Sequence, residues 1–160
     1  MPSKRARSED ADLDSAERTT SPLRRRRDPL IIWAGRLITL FGLAHTIGAL
    51  TVEGAARHAG AWLSGELRGE DLADMSAATS AYWLSVMSFG PPLVLLGLTI
   101  LWLARRAITP PPFIAWALGV WVALDTVLAG PQAGQGLILA VAVGLLLAGT
   151  RRGARWERPT

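Results

Sequence analysis

Residues 30–52 read LIIWAGRLITLFGLAHTIGALTV, a run in which Arg36 and His45 are the only ionisable side chains. About 20 apolar residues in a helix rising 1.5 Å per residue cross a hydrocarbon layer of about 30 Å, so this run has the length of a membrane span. Three more apolar runs follow, at 81–103, 112–128 and 135–150. Half of the chain's 160 residues are hydrophobic, and they sit in these runs rather than at helical or strand spacing along a soluble chain. The expected fold is all-α, a four-helix transmembrane bundle. The third and fourth runs reach only about 24–26 Å, so they must stand nearly upright. A re-entrant pair is the alternative for these two.

The flanks of the runs set the orientation. Residues 1–28 carry Lys4, Arg5, Arg7, Arg18 and the tetrad Arg24, Arg25, Arg26 and Arg27, with few large apolar residues, and read as a disordered basic tail. Arg105 and Arg106 fall in the second connection. Arg151, Arg152, Arg155 and Arg158 follow the last run, the final eight residues (153–160) forming a short tail. The first connection holds only Arg57 and Arg68, and the third none. Cytoplasmic connections carry the Lys and Arg excess, so both termini are expected inside. The arginine tetrad and Arg36 are expected to contact lipid headgroups, Arg36 by snorkelling. An Arg pair can also begin an export signal, but this run exceeds the h-region of a cleaved one. The sequence pI near 10.9 is thereby explained by topology, without nucleic acid.

Connections one and two differ in kind. Arg105 to Pro111 is a tight turn rich in proline. Glu53 to Ser80 is longer than a hairpin requires, and its Trp62, Leu63, Leu67 and Met75 alternate with Glu66, Arg68, Glu70 and Asp74. That pattern predicts a short amphipathic segment on the outer surface. Glu66, Glu70 and Asp74 recur every fourth residue and would share one helical face, a solvated acidic face or, less in keeping with the glycine spacing, a calcium site.

The chain has no cysteine, which removes disulfides, thiolate metal sites and iron–sulfur ligation. No phosphate-binding loop or Gly-x-Ser-x-Gly occurs, and His45 is the only histidine within a span. No catalytic residue, metal ligand or cofactor is therefore assigned, and an enzyme is not the expected class. Tryptophans at 33, 83, 102 and 156 near the run edges fit an interfacial belt.

Ionisable groups inside a span are functional candidates because inserting them is costly. Arg36 and His45 are nine positions apart, about 180° around a helix, so they occupy opposite faces. His45 lies about 10 Å below the outer end of the first span. Asp125 lies at the outer end of the third, and Glu53, Tyr82, Ser85 and Ser88 come to comparable depth. A pair between His45 and Asp125 within this outer-half cluster could gate protons, orient a ligand or simply pin two helices together. Gly35, Thr39, Gly42, Thr46 and Ala49 form a stripe of small residues suited to close helix packing, within the chain or in a homodimer. Pro91 and Pro92 are expected to kink the second span.

The phrases WAGRL (33–37), FGLAHTIGAL (41–50), GELRGEDLADMS (65–76), SFGPPLVLLGL (88–98) and ITPPPFIAW (108–116) together resemble a family of small four-span actinobacterial-type membrane proteins of unknown function. The resemblance covers roughly residues 33–152 and implies a multi-pass protein of the bacterial plasma membrane. It transfers no functional residue. The sequence thus points to a non-enzymatic membrane component that binds a partner or small ligand from the outer side. The alternative is a small transporter or proton-coupled permease using His45 and Asp125. The lipid bilayer is the expected partner, with a homodimer or a membrane partner protein left open.

Overall fold

A computed structural model describes residues 28–71, 73–130 and 135–156. The basic tail, including Arg24 to Arg27, and residues 157–160 lie outside the described residues. Among those described, the architecture is all-α. α1 (Pro29–Thr51) is followed by a 3-10 turn (Ala55–His58), α2 (Ala59–Ser64), α3 (Ala77–Leu84), α4 (Gly90–Arg105), α5 (Pro112–Ala129) and α6 (Gln135–Trp156). α1 is long and apolar enough to cross a membrane, while Gly90–Arg105 and Pro112–Leu128 are shorter apolar helices.

α1 starts where the sequence provides a cap and a proline. The Asp28 carboxylate accepts from Leu30 N at 2.8 Å, and Pro29 occupies the first turn, where its missing N–H costs nothing. α1 then packs along α4 on one side and α6 on the other, and α5 packs on α6. The small-residue stripe is what admits α4. A Cβ built on Gly42 would lie 2.6 Å from Gly90 O, and one on Gly35 would lie 3.2 Å from Gly97 O. These pairs run in opposite directions along the two helices, so α1 and α4 are antiparallel. Thr39 and Thr46 stand against Gly97 and Gly90, their hydroxyls donating to Gly35 O (2.8 Å) and Gly42 O (3.0 Å). The stripe is thus used inside the chain, where close backbone approach gains packing. On the other side of α1, Ile31 fills the space beside Gly149 of α6.

The core between the helices is fully apolar at its centre, with Ile38, Ile100 and Leu146 completely buried. The outside is apolar too: Leu40, Leu43 and Ile47 on α1, Leu95 and Leu98 on α4, Phe113, Val120 and Val127 on α5, and Leu137 and Val141 on α6 are all exposed. Apolar side chains thus face outward on each of the four long helices as well as inward.

The second apolar run is not one kinked helix. It divides into α3, a turn at Ser85–Phe89, and α4, with Pro91 and Pro92 in the first turn of α4. Proline cannot donate to a carbonyl one turn earlier, so a helix must begin at this pair, not pass through it. Two serines take up the backbone groups released by the break. Ser85, fully buried, donates to Ala81 O; Ser88 donates to Ser85 O at 2.7 Å and accepts from Gly90 N at 3.3 Å.

Candidate functional site

His45 sits on α1 in the half remote from the arginine-bearing end, and its ring lies 4.0 Å, centroid to centroid, from that of Phe89. Phe89 immediately precedes α4 and also meets Phe41 at 6.2 Å and Trp121 of α5 at 5.4 Å. Three helices therefore converge on one aromatic group, with the break before α4 placing Phe89 at its middle. Trp121 remains 38% exposed, so the group reaches the surface of the protein.

Within this group one polar atom stands out. His45 Nε2 is buried and has no hydrogen-bond partner, although the residue as a whole is only part-buried. The neighbouring Thr46 hydroxyl cannot help, because it donates to Gly42 O. The first turn of α4, against which the imidazole edge lies, offers little: Pro91 and Pro92 have no N–H, and Gly90 N is held by Ser88. A buried polar atom left unpaired costs roughly 1–3 kcal/mol, so its retention calls for an explanation.

The polar cluster read from depth alone is only partly assembled. Asp125 is exposed on α5, a helix that packs on α6 and not along α1, and no hydrogen bond or ion pair joins it to His45. Ser85 and Ser88 are at the right height but are committed to the helix break. Tyr82 lies on α3, where its ring meets Trp62 at 5.9 Å and Trp83 at 6.3 Å. Glu53 is exposed beyond the end of α1 and makes no hydrogen bond or ion pair with His45. The ring that does meet His45 is Phe89, itself in contact with Phe41 and Trp121, and these aromatic side chains carry no charge by which depth and ionisability could single them out.

The segment between α1 and α3, expected from the sequence on the outer surface, is folded onto α3. Trp62 Nε1 donates to Ala78 O at 2.9 Å. The Glu70 carboxylate accepts from the hydroxyl of Thr79 and from Ser76 Oγ (2.9 Å) and Ser76 N (3.3 Å). Those bonds hold its carboxyl below the usual carboxylate range. Glu66, Glu70 and Asp74 do not form one helical face. Gly65 and Gly69 both adopt φ of 84°, which ends α2 and reverses the chain twice, and Glu70 is turned onto Ser76 and Thr79 instead. Among the described residues no group of three or more potential ligands could hold a metal ion.

At the opposite end Arg36 lies over the Trp33 ring at 5.1 Å and Arg106 over Trp102 at 4.4 Å. Arg36 therefore turns toward the start of α1, the direction that snorkelling requires.

No family model, curated protein or solved structure matches this chain.

Proposed function

We propose that this chain is a multi-pass protein of the bacterial plasma membrane, four spans with both termini inside, that binds a small apolar ligand from the outer half without catalysing a reaction. α1 supplies one span and α4, α5 and α6 the others. The apolar exterior on all four helices supports that placement, as does the collection of Arg36, Arg105, Arg106, Arg151 and Arg152 toward one end. The resemblance to small actinobacterial membrane proteins agrees with it.

The observation that carries the ligand reading is the unpartnered His45 Nε2 beside Phe89, whose ring also meets Phe41 and Trp121. A flat apolar molecule bearing one hydrogen-bonding group would satisfy both features at once, stacking on the rings while its polar atom meets the imidazole. Transport through a His45–Asp125 pair has less support, because the two residues stand on helices that do not pack along each other.

1-Naphthol is a suitable probe, because its hydroxyl can donate or accept and so suits either imidazole tautomer. In nanodiscs the wild-type protein should show saturable quenching of tryptophan emission by 1-naphthol, lost in His45→Leu and in Trp121→Leu. Quenching that is linear with concentration, or unchanged by both substitutions, would refute the ligand reading.

A further inference from the structure

Five described arginines lie toward one end of the helices, and the antiparallel register brings them together. Ile31 of α1 adjoins Gly149 of α6, so Arg151 and Arg152 stand level with the start of α1. Gly35 adjoins Gly97 and Leu101 of α4, so Arg105 and Arg106 reach the same level. Arg36 begins about 12 Å inside, eight residues after Asp28, and turns back over Trp33 toward them.

All five are exposed, and among the described residues none forms a salt bridge. The only described carboxylate at this end is Asp28, which caps Leu30 N. Every other one, from Glu53 to Asp74 and at Asp125, lies toward the opposite end. Helix-dipole complementarity explains Arg105, which sits in the last turn of α4. It does not explain Arg36, in the interior of α1, nor the stacking of two guanidiniums on half-exposed tryptophans. Such stacking leaves the N–H edges of a guanidinium free for an anion while its face is covered, and a planar fork matches the oxygens of a phosphodiester.

We infer that this end of the protein is a binding surface for anionic phospholipid headgroups of the inner leaflet. Arg36 over Trp33 and Arg106 over Trp102 hold the phosphates, and Arg151 and Arg152 supply further positive potential. The inference rests on the membrane placement proposed above. The indole rings mark the interfacial depth, and each arginine near an anionic surface strengthens the attraction.

The test uses the full-length protein, stripped of lipid in detergent and offered equal amounts of phosphatidylglycerol and phosphatidylcholine, with retained lipid counted by native mass spectrometry. Wild type should retain phosphatidylglycerol about tenfold over phosphatidylcholine. The preference should fall toward unity in Arg36→Gln and Arg106→Gln and fall only in part in Arg36→Lys, which keeps the charge but not the planar fork. Arg57→Gln with Arg68→Gln, on the outer segment, should leave it unchanged. Excess inorganic phosphate should not remove it, since the lipid is also held by its acyl chains. Equal retention of the two lipids by wild type would overturn the inference, as would an equal loss from the outer-segment pair or displacement by free phosphate. Incorporation of wild type into phosphatidylcholine nanodiscs is measured in parallel. Failure to incorporate would overturn the membrane placement and this inference together, whereas incorporation without lipid preference would overturn the inference alone.

Discussion

Gly42 on α1 and Gly90 on α4 touch through their backbones: a Cβ on Gly42 would lie 2.6 Å from Gly90 O and 2.9 Å from Val94 N. Neither neighbour is a flexible side-chain end that could swing away, so the contact fixes both the spacing and the register of the helix pair. It also positions Phe89, one residue before Gly90, beside His45.

Gly42→Leu should separate α1 from α4 and lower the thermal midpoint by several degrees in detergent, followed by circular dichroism. Gly48→Ala is the control. Its Cβ would meet nothing within 4 Å, and replacing a helical glycine there should stabilise by up to about 1 kcal/mol. Equal behaviour of the two variants would contradict the packing account.

His45→Leu should raise the thermal midpoint of the ligand-free protein, because it removes a buried imidazole nitrogen that costs about 1–3 kcal/mol unpaired. Destabilisation would mean that His45 already has a partner. A gain in stability with loss of 1-naphthol quenching is the pattern of a residue kept for binding at the expense of folding.

Trp62→Phe should loosen the outer segment from α3 by deleting the Nε1 bond to Ala78 O while keeping most of the ring contact with Tyr82. A cost of about 1 kcal/mol is expected. Hydrogen exchange of the amides around Ala78 should accelerate, and exchange in α1 should not.

Glu70 makes the same segment acid-sensitive. Bonds from Thr79 and then Ser76 favour its ionised form and depress its pKa in the folded protein. Its contribution is therefore complete above the ordinary carboxylate pKa and is lost as pH falls through the lowered folded value. Exchange at Ser76 and Thr79 should rise on acidification below the normal carboxylate range, and Glu70→Gln should remove that step. Loosening that began instead on raising the pH would contradict the assignment.

Hydropathy made the helices legible and their neighbours illegible. The first run, 30–52, differs from α1 by one residue at each end, and 112–128 from α5 by one, because these elements begin at prolines and end where the apolar residues end. α6 continues past residue 150 to Trp156, since arginine is a good helix former and hydropathy follows only the apolar part. Depth arithmetic placed His45 and Asp125 at similar heights, yet height says nothing of which helices stand side by side. The glycines decided that: Gly90 and Gly97 draw α4 onto the stripe of α1, and Asp125 is left exposed on α5, which packs on α6. The break at Ser85–Phe89 was legible in principle, from two prolines preceded by serines able to bond the freed backbone.

The central claim, four spans with the outer segment and the His45 group on the outside, is tested most directly by cysteine accessibility in intact cells, which the absence of native cysteine makes clean. Single cysteines at Ser64, at exposed Ile108, at Arg152 and at Gly134 between α5 and α6 would be treated with a membrane-impermeant maleimide. The account predicts labelling at Ser64 and Gly134 in intact cells, and at Ile108 and Arg152 only after permeabilisation. Labelling of Ile108 from outside, or protection of Gly134 while Ser64 reacts, would contradict it, the second result showing that α5 and α6 turn back within the membrane.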